Sequence, residues 1–367
     1  MRKKRFLIPV IILFFGSAFL GIDKDKPISA WEFMKELVLI PGVSGQEGKV
    51  ADFIRSYFPP EVEPQSDKMG NIWFSVGKEK PHLVFVAHTD EIGLEVKEIT
   101  AKGSLKVVGR GGFLSQMYEG RPVVVYTEGG SVEGVVSPRP HYYQRNLKPS
   151  PFRTDDIEIY LGVSSETEAR DLGVKEGDQI TIKKKIVEFS PDLIATRAVD
   201  DRAGCAALLA AAMLVDWKKI EGKTITFAWD VQEEVGLRGA SRLAQTLKAD
   251  YVFPVDTFVS SDAPLDSKRF AFVPLGKGAV LRAIDSSNIA PRVELEKVIK
   301  IARTHNIPIQ LGNTRGGNDG SVFIPVGAVD IPLSWPGTYS HSFIEKIHRH
   351  DLEALTDLIV AIVMDWQ

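Results

Sequence analysis

The stretch His82 to Ala87 (HLVFVA) is an almost unbroken apolar run that ends at His88. A short run without polar alternation reads as a strand buried on both faces, so it must be covered from two sides. The C-terminal half supplies that cover. Asp200 to Trp217 (DDRAGCAALLAAAMLVDW) is an Ala- and Leu-rich helix, and TITFAWDV, GLRGASRLAQTL, YVFPV, VELEKVIKIARTH, PIQLG and a closing helix from Asp351 to Trp366 follow it. Two further helices are expected between Ser29 and Tyr57, broken by the turn Pro41-Gly42-Val43-Ser44-Gly45. Strands alternating with helices predict an α/β fold with a mainly parallel sheet and helices on both faces. Ligands in such folds bind outside the carboxyl ends of the strands.

The alternation is interrupted. From about Leu94 to Phe189 the chain carries short β-rich runs separated by Gly and Pro, which reads as an inserted, mostly β domain. Inside it, residues 137–156 form a Pro-rich, basic and aromatic stretch read as a long exposed loop, with His141 as a surface residue. At 367 residues the chain has room for two or so domains of about 150 residues. With 44% apolar and 25% charged residues, disorder and a multi-span membrane protein are excluded. Residues 1–22 open with a basic start and an apolar run over residues 6–20, read as a signal peptide or an anchor. An exported protein is therefore expected, periplasmic, at the cell surface, or attached to the membrane by that segment. Four of the 45 basic residues lie in this leader, leaving 41 against 48 acidic ones, a net charge of −7 without an electrostatic footprint for nucleic acid. Cys205 is the only cysteine, which excludes an intramolecular disulfide and a Cys-built zinc site.

The strand exits carry the candidate chemistry. HLVFVA leads into His88-Thr89-Asp90, TITFAWDV leads into Glu233-Glu234, and YVFPV delivers Asp256. Asp200 and Asp201 open the Ala-rich helix, where capping needs only one of them. His341 lies on a loop before the last helix. Each has a plain alternative as a loop pair, a solvated acidic turn or a helix cap, but together they put two histidines and several carboxylates on one side of a sheet. Without a thiolate, such a set suits divalent zinc, cobalt or manganese, whereas calcium has no need of imidazole. Several carboxylates share a pocket only when positive charge offsets their repulsion, as two dications do.

The segments AHTDEIG (87–93), RAVDDRAG (197–204), VQEEVGLRGA (231–240), VDTF (255–258) and YSHS (339–342), in this order and spacing, resemble the dinuclear metalloaminopeptidases of the glutamyl and tetrahedral aminopeptidase group, some of which carry an endoglucanase label. The resemblance implies an αβα sandwich metallopeptidase domain, here 23–93 and 191–367, interrupted by a PDZ-like or small β-barrel domain, 94–190, used in oligomerisation. It implies Asp200 as a carboxylate bridging two divalent ions, with zinc foremost and cobalt or manganese as alternatives. His88 and Asp256 would complete one ion, and Glu234 and His341 the other. Glu233 would be the general base and Asp90 the partner of His88. The implied substrates are short peptides cut at their N-terminal residue, and the implied assembly is a homo-oligomer, a dodecamer in many relatives.

Two places depart from that pattern. The loop Thr314 to Gly320 (TRGGNDG) stands where relatives more often read Gly-Gly-Thr-Asp-Ala, and Phe343 stands where proline is usual. Gly276 and Gly278, with Gly316, Gly317 and Asp319 of that loop, are candidates for the substrate groove, since glycine lets backbone approach a ligand closely. The alternative function classes are a glycoside hydrolase using two carboxylates without metal, and a binding or assembly module that has lost catalysis. The latter is expected to lack a ligand or the base, and none is missing.

Overall fold

The computed structural model describes residues 29–140 and 151–367, so the leader 1–22 and His141 lie outside the described residues. Nine strands form one sheet. Along it the order is Gln65–Ser66, Ile72–Val76, Thr224–Asp230, His82–His88, Tyr251–Val259, Leu333–Gly337, Ala279–Ile284 and Ile309–Asn313, with Val329–Asp330 also beside Tyr251–Val259. The centre is parallel, as strand-helix alternation requires, and the Ile72–Val76 side is antiparallel.

Alternation along His82–His88 shows why both faces had to be covered. Val84 and Val86 pack with Trp73, Leu243 and Val252 under the helix Arg238–Leu247. Leu83, Phe85 and Ala87 face the larger core, built with the helices Ala30–Leu37, Val199–Leu214 and Arg349–Asp365. The helix Val199–Leu214 is buried continuously from Val199 to Ala212, so it has no use for a polar face and its small side chains let neighbours approach closely.

The expected helix start at Asp200 is more specialised than a cap. Asp200 and Asp201 both have non-helical backbone angles. Asp201 accepts the Gly204 N–H at 3.0 Å, which is the capping role. Asp200 is thereby left free to point elsewhere.

Between His82–His88 and Val199–Leu214 the chain builds a closed six-stranded barrel of Gly93–Ile99, Leu105–Arg110, Glu158–Tyr160, Gly130–Val136, Pro122–Thr127 and Gln179–Ile182, with its own apolar core. A short helix, Glu166–Asp171, lies within this stretch, where the sequence reading placed only strands. The run QITIKKKIVEF is split: Gln179–Ile182 closes the barrel, while Val187–Ser190 pairs with Leu193–Thr196 in a separate sheet completed by Glu345–His348.

At this split the Lys184 ammonium turns inward and meets Glu91 at 2.7 Å. Arg197 and Arg202 reach the same carboxylate at 3.1 and 3.6 Å, and all four side chains are buried. Burial works against the Glu91 charge, but the three cations hold its pKa at about 2. Burial lowers Lys184 to about 7. This cluster sits where the chain leaves the main sheet for the barrel and where it returns.

Candidate active site

Register sets the geometry of the strand ends. Asp230 pairs with His88, and Pro254 pairs with Val86, so Asp256 emerges level with His88. Asp200 comes from the opposite side, at the start of the buried helix. Ligand atoms of His88, Asp200 and Asp256 all lie within 4.8 Å of one another.

The two oxygens of Asp200 are divided. Oδ1 lies 3.4 Å from His88 Nε2, and Oδ2 lies 3.8 Å from His341 Nε2. His341 Nε2 is also 3.3 Å from Glu234 Oε2. The structure therefore brings together all five sequence-derived ligand candidates, with Asp200 between a His88/Asp256 set and a Glu234/His341 set. Glu233 Oε2 stands 4.0 Å from His88 Nε2.

Asp90 does more than back an imidazole. Its Oδ1 is 3.4 Å from His88 Nδ1, which leaves Nε2 facing the centre. It also accepts the Ser44 hydroxyl at 2.6 Å and the N–H groups of Glu233 and Glu234 at 3.0 and 3.2 Å. One buried carboxylate thus fixes a histidine and the loop bearing the two glutamates.

Two supports on the other side were not anticipated. Glu345 accepts the Asp200 N–H at 3.0 Å and the His341 N–H at 3.1 Å, one oxygen for each. His341 Nδ1 lies 2.6 Å from the Gly112 carbonyl, so Nδ1 carries a proton and Nε2 is the nitrogen that faces Glu234 and Asp200. Gly112 belongs to the barrel side of the chain. Its neighbour Gly111, at φ +81, lies so close that a Cβ there would meet Ile92 at 2.5 Å and Glu234 at 3.3 Å. The His341 loop is itself constrained, with Tyr339 and His341 both near φ +60.

Charge shows what the centre lacks. Burial raises the pKa of Glu233 and Asp319 well above the carboxylate range; Asp319 adds to the shift of Glu233, Asp230 to that of Asp319, and Asp256 to both. Asp201 and Asp230 are raised in the same way, chiefly by burial. Burial disfavours a charged His88, yet Glu233, Asp200 and Asp90 outweigh it and raise that ring well above its usual value. His341 is pushed to about 10 by Glu234 and Asp200 against its own burial. Without a cation, then, the cluster is stabilised by holding protons. Divalent ions fit in their place: the donors are imidazole nitrogens and carboxylates, the second nitrogen of His341 is bonded to a carbonyl and that of His88 lies 3.4 Å from Asp90, and one carboxylate faces both sets.

The glycine candidates fall elsewhere. The N–H groups of Gly276 and Gly278 are each taken by Asp351 at 2.7 Å. A Cβ at Gly316 would meet nothing within 4 Å, the Gly316 carbonyl accepts the Ser286 N–H at 3.3 Å, and the Gly317 carbonyl accepts from Arg282 at 2.9 Å. Arg282 in turn meets Asp256 at 3.1 Å, so the loop reaches the centre through an arginine that sequence reasoning passed over. Asp319 is buried beside Asp230 in an acidic layer next to His88 and Asp256.

A family model described as M42 glutamyl aminopeptidase matches residues 70–358. The chain belongs to this M42 family. Among curated relatives, a putative aminopeptidase FrvX of Escherichia coli is 30% identical, covering 89% of this chain and 93% of its own. A lysyl aminopeptidase of Pyrococcus furiosus is 29% identical, over 91% and 96% respectively. The solved TET1 peptidase of Pyrococcus horikoshii superposes with TM-score 0.85 at 36% identity, covering 92% of this chain and all of that one. Membership makes this M42 protein a peptide hydrolase of the aminopeptidase class that works with divalent metal ions, and metal-free glycan cleavage is not favoured. The αβα architecture with an inserted barrel matches the TET peptidase structures.

The expectation of export or membrane attachment does not stand. The M42 protein's neighbours are TET-type aminopeptidases, and among the described residues no helix is long and apolar enough to cross a membrane. The segment 1–22 on which that expectation rested lies outside the described residues.

Proposed function

We propose that this M42 protein releases N-terminal residues from short peptides with two divalent ions, His88, Asp200 and Asp256 holding one and Asp200, Glu234 and His341 the other. The carrying observation is the division of the Asp200 oxygens between the two histidines. When bound, such a pair of ions polarises the scissile carbonyl and lowers the pKa of water. Glu233 accepts the proton of the attacking water on its carboxylate and passes it to the leaving amine. Asp90 keeps that carboxylate in place by holding the Glu233 and Glu234 N–H groups. Arg282 neutralises the outer oxygen of Asp256, and Glu345 holds the backbone of Asp200 and His341. Zinc is the ion we assign first, with cobalt and manganese accepted by the same donors.

Residues 23–93 and 191–367 form the catalytic domain in this reading, and 94–190 the domain for subunit association. A homo-oligomer, including a dodecamer, is supported by the similar Pyrococcus horikoshii TET1 peptidase, a dodecamer in one solved form.

Glu233→Gln tests the mechanism. The variant is expected to keep two metal ions per chain by elemental analysis and to lose about 10²–10⁴-fold in kcat. Unchanged peptide release would remove Glu233 from the chemistry.

A further inference from the structure

A cavity of about 460 Å³ opens directly beside His341. It is in the range of small-molecule sites, roughly 300–1,000 Å³. It is lined by Phe113, Leu114 and Met117 from the barrel side of the chain and by Tyr339 and Ile344 from the His341 loop, together with His341 itself and the hydroxyls of Ser340 and Ser342. Apart from the His341 imidazole, none of the described residues that line it carries a charged side chain at neutral pH.

We propose that this cavity is the subsite for an apolar side chain of the peptide, on the residue next to the bond that is cut. The inference rests on the aminopeptidase reading and adds the class of side chain. Apart from the His341 ring, which is already engaged with Glu234 and the Gly112 carbonyl, a carboxylate or ammonium seated here would meet no charged lining side chain, which disfavours acidic and basic residues. Leu114 is 67% exposed and Ile344 53%, so a bound side chain covers apolar surface that water otherwise touches. The walls are held in advance of binding. Phe113 packs on Tyr118 at 4.9 Å and Tyr118 on Phe343 at 5.2 Å, tying the barrel wall to the loop that carries His341. Phe343, which departs from the family's usual proline, is thus one of the residues that set the cavity's width. Met117 is unbranched and adaptable, so the subsite tolerates several apolar shapes rather than selecting one.

The test uses the full chain with zinc, cobalt or manganese restored and bound metal measured. One series varies the first residue of aminoacyl p-nitroanilides (Leu, Met, Phe, Glu, Lys). A second varies the second residue of dipeptides beginning with Ala. In at least one series kcat/KM for Leu, Met or Phe is expected to exceed that for Glu and Lys by tenfold or more. The series in which it does so tells which side of the cut the cavity serves. Leu114→Glu is expected to reduce that preference about tenfold, mainly through KM, with metal content and Tm unchanged.

A preference for Glu or Lys in both series, or no preference, overturns the proposal while the aminopeptidase reading stands. A Leu114→Glu variant that changes the oligomeric mass and leaves the ranking intact makes the patch a contact between copies and overturns it as well. No hydrolysis in either series with both ions bound removes the aminopeptidase reading and this inference together.

Discussion

The His88 half and the His341 half of the centre perform matching tasks with different materials. His88 ends a strand in the middle of the sheet, is 2% exposed, and is oriented by a carboxylate two residues away. His341 sits on a loop, its side chain is 41% exposed, and its ring is oriented by a carbonyl from the barrel side of the chain. Precision in the first half comes from the register of packed strands. In the second it depends on how the barrel is seated. The difference teaches that a pair of equivalent ligands need not be equally robust.

Removing what the halves share has the largest expected effect. Asp200→Ala is expected to abolish loading of both ions and lower kcat/KM by several kcal/mol, on the order of 10³-fold or more. Normal loading of either half by calorimetric titration would break the claim that Asp200 serves both.

The seating of the barrel can be attacked without touching a ligand. Glu91→Gln leaves Lys184, Arg197 and Arg202 buried without a counter-charge and is expected to cost about 3–5 kcal/mol in denaturant unfolding. If the barrel seating governs His341, residual folded protein should lose affinity for one ion before the other.

Next come the supports of each half. Asp90→Asn and Glu345→Gln each remove acceptors from backbone N–H groups, and each is expected to weaken metal binding by about 10–100-fold. Asp90→Asn should act more on the His88 ion than on the other and also depress kcat through the Glu233 loop. Glu345→Gln should act more on the His341 ion, and equal effects on both ions would erase the asymmetry.

The smallest effect is a slope. Lys184 has its pKa lowered from 10.5 to about 7, so between those values the unfolded chain binds a proton that the folded chain does not. The contribution of Lys184 to stability should therefore rise with pH from about 7 to 10.5, and comparing Lys184→Met with the parent chain should isolate it. Glu91 has the opposite window, because its pKa falls from 4.5 to about 2 and the stability it supplies is lost as pH drops between them. Melting temperatures across pH check both.

Much of the centre was legible because its proposed ligands stand where strand patterns stop. HLVFVA, TITFAWDV and YVFPV each announce their own end, and His88, Glu233, Glu234 and Asp256 follow within a few residues. Glu345, Gly112 and Ser44 were not legible, since they act by meeting an N–H, a ring nitrogen or a carboxylate from distant segments, and no local spacing encodes such a meeting. The strands Ile72–Val76 and Ala279–Ile284 were missed for a related reason. Short apolar runs without a neighbouring helix pattern take their identity from the strand they pair with. Asp200 and Asp201 show the limit within one pair: capping needs one acid, but only the fold reveals that Asp201 takes that role.

The Gly112 carbonyl carries a mechanical consequence. Because a barrel-side peptide group holds the ring that faces Glu234 and Asp200, the smaller body is wired to the chemistry rather than merely tethered beside it. Whatever grips the barrel from outside, including a neighbouring copy, pulls on the imidazole proposed as a metal ligand through a single hydrogen bond.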